Sequence, residues 1–370
     1  MQEENKKHNR IIIAGGGTGG HIFPAIAIAN ALRKADPYIE LLFVGAKGKM
    51  EMEKVPQAGY QIKGINIAGF NRSSIWKNLS LPFKIIKSFF QVKEIFKEFN
   101  PTAVVGVGGY STYPVLRYAQ KKGLPTFIHE SNSFAGKSNI LLGKKATRIF
   151  VAAEGMDRFF PKDKILITGN PVRKIISESH VTRTDGIRFF GLDESRKTIL
   201  AIGGSLGARS INEVMLNHLI DLHALNIQLI WQTGKNNAPR YVRSGSMHKS
   251  NVWVGEFIQE IDKAYAAADV VISRAGAMSV AEMCVAGKPT VFVPYPFASE
   301  DHQTENAMRL IRKNAAEMVK DSDAVTKLFG AVTNMLFDEE KLKTYKNNIS
   351  TLAITNANEI IAEEIFKTIK

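Results

Sequence analysis

The sequence predicts an α/β protein of two doubly wound, Rossmann-like halves, and three observations carry that reading. A short apolar strand runs into a glycine-rich loop and then a helix twice: Arg10 to Ala14 leads into GGGTGGHIFP (Gly15 to Pro24), and Thr198 to Ile202 leads into GGSLGARSIN (Gly203 to Asn212). After each loop, further short apolar runs alternate with helical stretches, the pattern of parallel βαβ units. Between the two series, Gly169-Asn170-Pro171 punctuates a domain crossover. A chain of 370 residues has room for two domains. The expected boundaries are 1–170, 171–350 and a closing helix over 351–370 that packs back on the first domain.

Bulk properties narrow the class. Cys284 is the only cysteine, so neither a disulfide framework nor a cysteine zinc site is expected, and it falls in an Ala-rich helix as a core residue. The polar start MQEENKKHNR lacks the apolar core of a signal peptide, and no run approaches the roughly 20 apolar residues of a membrane span, so a cytoplasmic protein is expected. The net charge is +14, but residues 1–172 hold 25 Lys+Arg against 12 Asp+Glu, whereas residues 173–370 hold 24 against 23. A basic first half favours an anionic surface or ligand.

In the first half, the loop Gly15 to Gly20 satisfies G-x-G-x-x-G between strand and helix. A dinucleotide site also wants an acid at the end of the second strand. That strand, Glu40 to Val44, ends in Gly45-Ala46-Lys47, with its acid at the start, which argues against NAD. A loop that lets a substrate approach the backbone closely fits better. His21 stands at the following helix start, where the helix N-terminus helps to keep an imidazole neutral and able to act as a general base; the alternative is a capping or structural histidine. Residues 71–99 interleave Ile75, Trp76, Leu79, Leu81, Phe83, Ile85, Ile86, Phe89 and Phe90 with Lys77, Lys84, Lys87 and Lys93. Apolar side chains beside lysines suit docking on an anionic bilayer, here between Ile75 and Phe90, and part of the stretch reads as an amphipathic helix packed on the domain. The strands Ala103 to Val107 and Thr126 to His129 end in GVGGYSTYP and HESNSFAGKSN. Ligands of such sheets bind at these ends, which makes Gly109, Tyr110, Ser111, His129, Glu130 and Asn132 candidates.

In the second half, Ile227 to Gln232, Val252 to Val254, Ala268 to Ile272 and Thr290 to Val293 are strands, and the chain reads as helices from His302 to the end. Ser273 to Gly276 is a turn opening a helix from Ala277 to Ala286, whose free amides attract phosphate. Ser279 adds a donor there. Glu282, one turn on, repels phosphate but suits the diol of a ribose, so the stretch reads as a grip for a nucleoside diphosphate. Gln303 both donates and accepts, which suits sugar hydroxyls. Asp321-Ser322-Asp323 has the D-x-D form of some metal-dependent glycosyltransferases, but it precedes AVTKLF and reads as a helix cap.

GGGTGGHIFP, HESNSFAG, GNPVR, GGSLGA and SRAGAMSVAE…DHQTENA, in that order and spacing, resemble the MurG family of glycosyltransferase family 28 across nearly the whole chain. The resemblance implies a GT-B fold, two doubly wound domains facing across a cleft, the first for acceptor and membrane and the second for UDP-GlcNAc. It implies transfer of GlcNAc from UDP-GlcNAc to the 4-hydroxyl of MurNAc in lipid I, giving lipid II, at the cytoplasmic face of the bacterial inner membrane, in company with other cell-wall synthesis and division proteins. It implies that Thr18, Gly19 and Gly20 border the donor and acceptor diphosphates, with Gly17, Gly109, Tyr110 and Asn132 on the acceptor side and Asn132 also near the transferred sugar. Arg173 and Ser205 would contact UDP, the Ile258 backbone the uracil edge, Ala277, Met278 and Ser279 the sugar diphosphate, Glu282 the ribose and Gln303 the GlcNAc hydroxyls. His21 is the first candidate base and Glu130 the second. No cofactor, catalytic metal or nucleic acid is expected. Met278 stands where Leu is common in the family, a volume-conserving change, and His302 where some members have a second Gln. Four other readings compete: transfer to diacylglycerol or another lipid; a UDP-GlcNAc 2-epimerase, which leaves the basic–apolar stretch unexplained; an NAD oxidoreductase, weakened by the missing acid; and a non-enzymatic binding module, disfavoured because several polar loops converge on one cleft.

Overall fold

A computed structural model describes residues 9–69, 81–236, 238–246 and 250–369. The chain divides into two compact units: one comprises the residues up to Pro171 together with those from Asn356 onward, and the other is Val172–Thr355.

The first unit is built on a seven-stranded sheet: β1 (Arg10–Ala14), β2 (Glu40–Ala46), β3 (Gln61–Ile65), β4 (Ala103–Gly106), β5 (Thr126–Glu130), β6 (Arg148–Val151) and β7 (Ile165–Ile167), in the order 3-2-1-4-5-6-7. Every pairing is parallel. A parallel sheet needs a crossover after each strand, and here the crossovers bury both faces. Ile11, Ile13, Leu41 and Phe43 pack on one side, with α1 (Gly19–Ala35) and α2 (Glu51–Gln57); Ile12, Ala14, Leu42 and Val44 pack on the other, with α3 (Leu81–Phe99), α4 (Thr112–Lys121) and α5 (Lys137–Gly143).

The second unit repeats the plan with β8 (Lys197–Ile202), β9 (Ile227–Gln232), β10 (Val252–Gly255), β11 (Val270–Ser273), β12 (Thr290–Phe292) and β13 (Glu317–Met318), all parallel, in the order 10-9-8-11-12-13. Leu200, Ile230, Val271 and Phe292 face one core, which holds α6 (Lys174–Ser177), α7 (Arg183–Phe189), α11 (Ile261–Ala267), α12 (Ala277–Ala286) and α13 (His302–Ile311). Ile199, Ala201, Leu229, Trp231, Val270 and Val291 face the other, with α8 (Arg209–Asn217), α9 (Leu219–Ala224), α10 (Ala238–Ser246), α14 (Ala324–Phe337) and α15 (Glu339–Ser350).

Two strands escape the sequence reading. The edge strand β3 is only partly buried and carries Lys63 and Gly64, so its apolar pattern is weak. β13 has two residues and interrupts a tail expected to be wholly helical. The last helix, α16 (Ala357–Ile369), belongs to the first unit. It packs on α1 through Ile361, Ala362 and Ile365, and Arg148 of β6 donates to Glu364 at 2.9 Å.

In both sheets the strand order reverses beside the first strand: β1 lies between β2 and β4, and β8 between β9 and β11. Register aligns the strand ends there, pairing Ala14 with Gly106 and Ile202 with Ser273. Two loops therefore leave each sheet side by side at its carboxyl edge, where such folds bind ligands.

Ile361 is fully buried. Replacing it with Ala should cost the first unit about 2–5 kcal/mol in chemical denaturation. A loss well under 1 kcal/mol would mean that α16 is a peripheral attachment.

Candidate active site

At the switch point of the first sheet, two glycine loops lie backbone against backbone. Gly16 N–H donates to the Gly108 carbonyl at 3.2 Å, and a Cβ on Gly109 would come within 2.3 Å of the Gly16 oxygen. Gly16, Gly17, Gly108 and Gly109 all have φ between +87° and +148°, a region that L side chains rarely enter. The loop then enters α1. Thr18 is the N-cap, its carbonyl accepts from His21 N and Ile22 N, and its hydroxyl makes no capping bond, so the helix start presents backbone amides at Thr18, Gly19 and Gly20.

His21 lies in the first turn of α1, with its ring against Gly108, where a Cβ would approach Nε2 to 2.8 Å. Its Nδ1 is 3.1 Å from the Gly16 carbonyl oxygen and 3.3 Å from Thr18 Oγ1. A carbonyl only accepts, so Nδ1 carries the proton in this bond, and a neutral ring of that tautomer has its lone pair on Nε2. His129, at the end of β5, is almost fully buried. Burial drives its pKa down to about 4, opposed by the Gly169 backbone and reinforced by His21. It is therefore neutral at physiological pH.

Glu130 corrects an expectation. As the second candidate base it should keep an oxygen for the substrate, but it is 3 % exposed and both oxygens are engaged twice. Oε1 accepts from Asn132 N and Nδ2 at 3.1 Å each; Oε2 accepts from Gly136 N at 3.1 Å and Asn139 Nδ2 at 2.8 Å. A carboxylate holding four donors organises its loop, and here it fixes Asn132. Tyr110 is exposed beside Gly109. Gly17 has its amide taken by the buried carboxylate of Glu51, a residue that the sequence reading did not single out.

In the second unit, α12 starts at the switch point. Gly276 is its N-cap and supplies no side chain, and the first turn holds no acid, so the dipole end at Ala277, Met278 and Ser279 is not offset by local charge. Glu282 is 6 % exposed and forms a two-pronged pair with Arg173, Nε to Oε1 at 2.8 Å and Nη2 to Oε2 at 2.9 Å. Tyr265 donates its hydroxyl to Oε2 at 2.9 Å, and burial followed by the Glu282 charge holds its phenol well above the usual range, so it stays a donor. Arg173 and Glu282, expected as separate contacts, are thus joined. The Ile258 amide donates to Gln232 Oε1 at 3.0 Å, which fixes the backbone there. Ser205 is exposed at the tip of the second glycine loop. Gln303 Oε1 accepts from Tyr295 N at 2.9 Å, so its NH2 end is what it offers. Glu300 and Asp301, just before α13, adopt φ of 56° and 52°, strained for non-glycine residues.

Asp323 of the D-x-D triplet stands at the N-cap position of α14, as expected, but no side chain of the triplet caps that helix. Asp321 accepts from Arg274, which also donates to the Val293 and Pro294 carbonyls, while Asp323 pairs with Lys327 at 2.8 Å and makes no capping bond. Among the described residues no three or more His, Cys, Asp or Glu side chains form a group that could hold a metal.

Of the expected membrane residues, Ile75, Trp76 and Leu79 lie outside the described residues, whereas Phe83, Lys84 and Lys87 are exposed on α3. Beside them Ile86, Phe89, Phe90 and Tyr118 line a groove of about 510 Å³ whose cations include Lys93 and Arg117. No described helix is long and apolar enough to cross a membrane.

Two doubly wound sheets, each with a helix start at its switch point, are the architecture of the GT-B fold, the fold of a class of glycosyltransferases. The glycosyltransferase family 28 N-terminal domain matches residues 11–151 and the family 28 C-terminal domain matches residues 198–363, and the chain belongs to that family. A relative in Phocaeicola vulgatus, named UDP-N-acetylglucosamine--N-acetylmuramyl-(pentapeptide) pyrophosphoryl-undecaprenol N-acetylglucosamine transferase, is 50% identical over 360 residues, 97% of this chain and 96% of its own. The like-named protein of Bacteroides thetaiotaomicron is 48% identical over 365 residues, 98% of each. The crystal structure of Acinetobacter baumannii MurG matches with a TM-score of 0.79 at 29% identity, covering 97% of this chain and 99% of that one. Within family 28 the chain thus belongs with these transferases, the MurG group. A UDP-N-acetylglucosamine 2-epimerase shares the fold, with a TM-score of 0.64 at 13% identity, covering 98% of this chain and 96% of that one.

His129 gives a pH prediction. Its folded pKa of about 4 lies below the ordinary 6.5, so as pH falls the unfolded chain takes up the proton first. The stability it contributes is complete above pH 6.5 and is lost as pH falls toward 4, by up to about 3 kcal/mol. Denaturation of wild type and His129→Leu across that range should give diverging slopes; parallel slopes would show that the histidine protonates in place.

Glu282→Gln keeps the shape and removes the charge facing Arg173. It should raise the donor KM about 10-fold or more, a charged hydrogen bond being worth about 1.5–3 kcal/mol. An unchanged donor KM would take the Arg173–Glu282 pair out of the donor site.

Proposed function

We infer that this chain is an inverting glycosyltransferase that moves GlcNAc from UDP-GlcNAc to the 4-hydroxyl of MurNAc in lipid I, forming the β-1,4 link of lipid II for peptidoglycan synthesis. The observation that carries the reading is the 50% and 48% identity, over nearly the whole chain, with relatives named as transferases of N-acetylglucosamine between UDP-N-acetylglucosamine and N-acetylmuramyl-(pentapeptide) pyrophosphoryl-undecaprenol. The acceptor hydroxyl attacks the anomeric carbon from the face opposite UDP, so the configuration inverts. A base must take the hydroxyl proton, and His21 is assigned that role. Its support is the Nδ1 bond to the Gly16 carbonyl, which leaves Nε2 as the proton acceptor. His129, buried and with its pKa lowered to about 4, is too weak a base to compete, and Glu130 already accepts from four donors.

The departing diphosphate gains negative charge. The start of α12 at Ala277, Met278 and Ser279, with Ser205, supplies fixed dipoles for it, and Glu282 and Arg173 recognise the ribose and UDP as one paired unit. The Ile258 carbonyl serves the uracil edge, and the Gln303 NH2 the GlcNAc hydroxyls. Thr18, Gly19 and Gly20 at the start of α1 border the diphosphates, and Gly17, Gly109, Tyr110 and Asn132 shape the acceptor side. The first unit carries acceptor and membrane binding, the second carries donor binding, and the enzyme works at the cytoplasmic face of the inner membrane, beside other proteins of wall synthesis and division. Support for the membrane role is the exposure of Phe83, Ile86 and Phe90 beside Lys84 and Lys87.

The direct test is label transfer from UDP-GlcNAc to a lipid I analogue with EDTA present. Wild type should transfer label, and His21→Ala should lose about 100- to 10,000-fold while remaining folded. Isomerisation of UDP-GlcNAc without acceptor would replace the reading with an epimerase. The triple variant Phe83→Ser, Ile86→Ser, Phe90→Ser should bind anionic vesicles at least about 10-fold more weakly with unchanged thermal stability, because these side chains are exposed. Equal binding would detach α3 from the membrane role.

A further inference from the structure

Glu51 stands outside every role described so far, yet it is among the most buried charged residues of the chain, 1 % exposed. It opens α2 and sends its carboxylate into a slot that exists only because two neighbours are glycine. A Cβ on Gly16 would lie 2.3 Å from its Cδ, and one on Gly45 would lie 2.5 Å from its Cγ. Both oxygens end on backbone amides: Oε1 accepts from Ala46 N at 2.9 Å, and Oε2 from Gly17 N at 2.7 Å.

The Gly17 N–H and the Gly16 C=O belong to one planar trans peptide group and point in opposite directions. Glu51 holds that group by its N–H, and the C=O at its other end is the acceptor for His21 Nδ1 at 3.1 Å. The arrangement is a carboxylate and an imidazole joined through a peptide instead of touching. A peptide flanked by two glycines meets little steric resistance to rotating over, and rotation would turn an N–H toward Nδ1 and stabilise the opposite tautomer. Hydrogen bonds in such a chain polarise one another, so the carboxylate also makes the carbonyl a better acceptor.

We propose that Glu51 is a positioning residue for the transfer reaction, holding the Gly16–Gly17 peptide so that His21 stays in the Nδ1–H tautomer with Nε2 facing the acceptor hydroxyl. The proposal rests on the reading of His21 as the base. It also separates this loop from a dinucleotide grip. The Gly17 amide that would meet a phosphate is already occupied by the chain's own anion, which leaves phosphate contact to the start of α1.

The test has two arms. In wild type, nitrogen chemical shifts of labelled histidine report the tautomer without any substitution. The expected signal for His21, assigned by its loss in His21→Ala, is the Nδ1–H form, which is the minor form of free histidine; the Nε2–H form overturns the proposal. In the second arm, Glu51→Gln retains the shape but can accept from only one of the two amides. The turnover of lipid I analogue should fall about 100-fold, the scale for a misplaced reacting group, with donor KM changed less than about 2-fold. On a His21→Ala background the same substitution should cause no further loss, which a merely structural role would not produce. Wild-type turnover in Glu51→Gln, or a full additional loss on His21→Ala, rejects the proposal. Absence of transfer by wild type instead rejects the assigned reaction, and comparing the His21 tautomer in Glu51→Gln with that in wild type then shows separately whether Glu51 sets it.

Discussion

In both units the chain reverses its direction of winding beside the first strand of a parallel sheet, and the chemistry depends on that reversal. Crossovers that depart to opposite sides leave an opening at the strand ends which no helix covers. Matched register then brings two loops out of each opening at one level: Gly15–Gly17 with Gly106–Gly109, and Gly203–Gly207 with Ser273–Gly276. Side chains would fill these openings, and glycine keeps them open. At Gly109 the neighbouring backbone leaves no room for even a methyl group.

Charge in these openings is handled by pairing carboxylates with fixed partners. Glu51 and Glu130 lie under the first sheet's loops and bind backbone amides or side-chain amides; Glu282 lies in the second unit and binds a guanidinium and a phenol. A buried carboxylate without donors is costly, so each of these acids specifies the local backbone as firmly as an apolar side chain would. The helix starts at Thr18–Gly20 and Ala277–Ser279 are left without an acid in the first turn, which suits them to an anionic ligand.

Much of this was legible in the sequence. The two glycine loops, the central strands and the start of α12 follow from apolar runs ended by glycine, because period and punctuation are local properties. Partners far apart in the chain were not legible. Arg173 and Glu282 are separated by 109 residues, and Gly17 and Glu51 by 34, so nothing in their spacing announces a contact. The acid sought at the end of β2 as a sign of a dinucleotide site has a counterpart five residues further on in Glu51, turned toward the loop itself. Glu130 looked available because sequence shows the carboxyl group but not the four donors around it. β3 and β13 were missed for a different reason: edge strands bury too little to leave an apolar pattern.

The return of α16 to the first unit has a consequence for how the molecule is made. The first core includes Ile361, Ala362 and Ile365, and residues 172–355 intervene between them and the rest of that core. During synthesis the face of α1 that receives α16 must wait uncovered while the whole second unit leaves the ribosome. The second unit has a continuous chain and can fold as soon as it emerges, whereas the first, although begun earlier, is finished later. For that interval the nascent first unit carries an apolar surface open to aggregation.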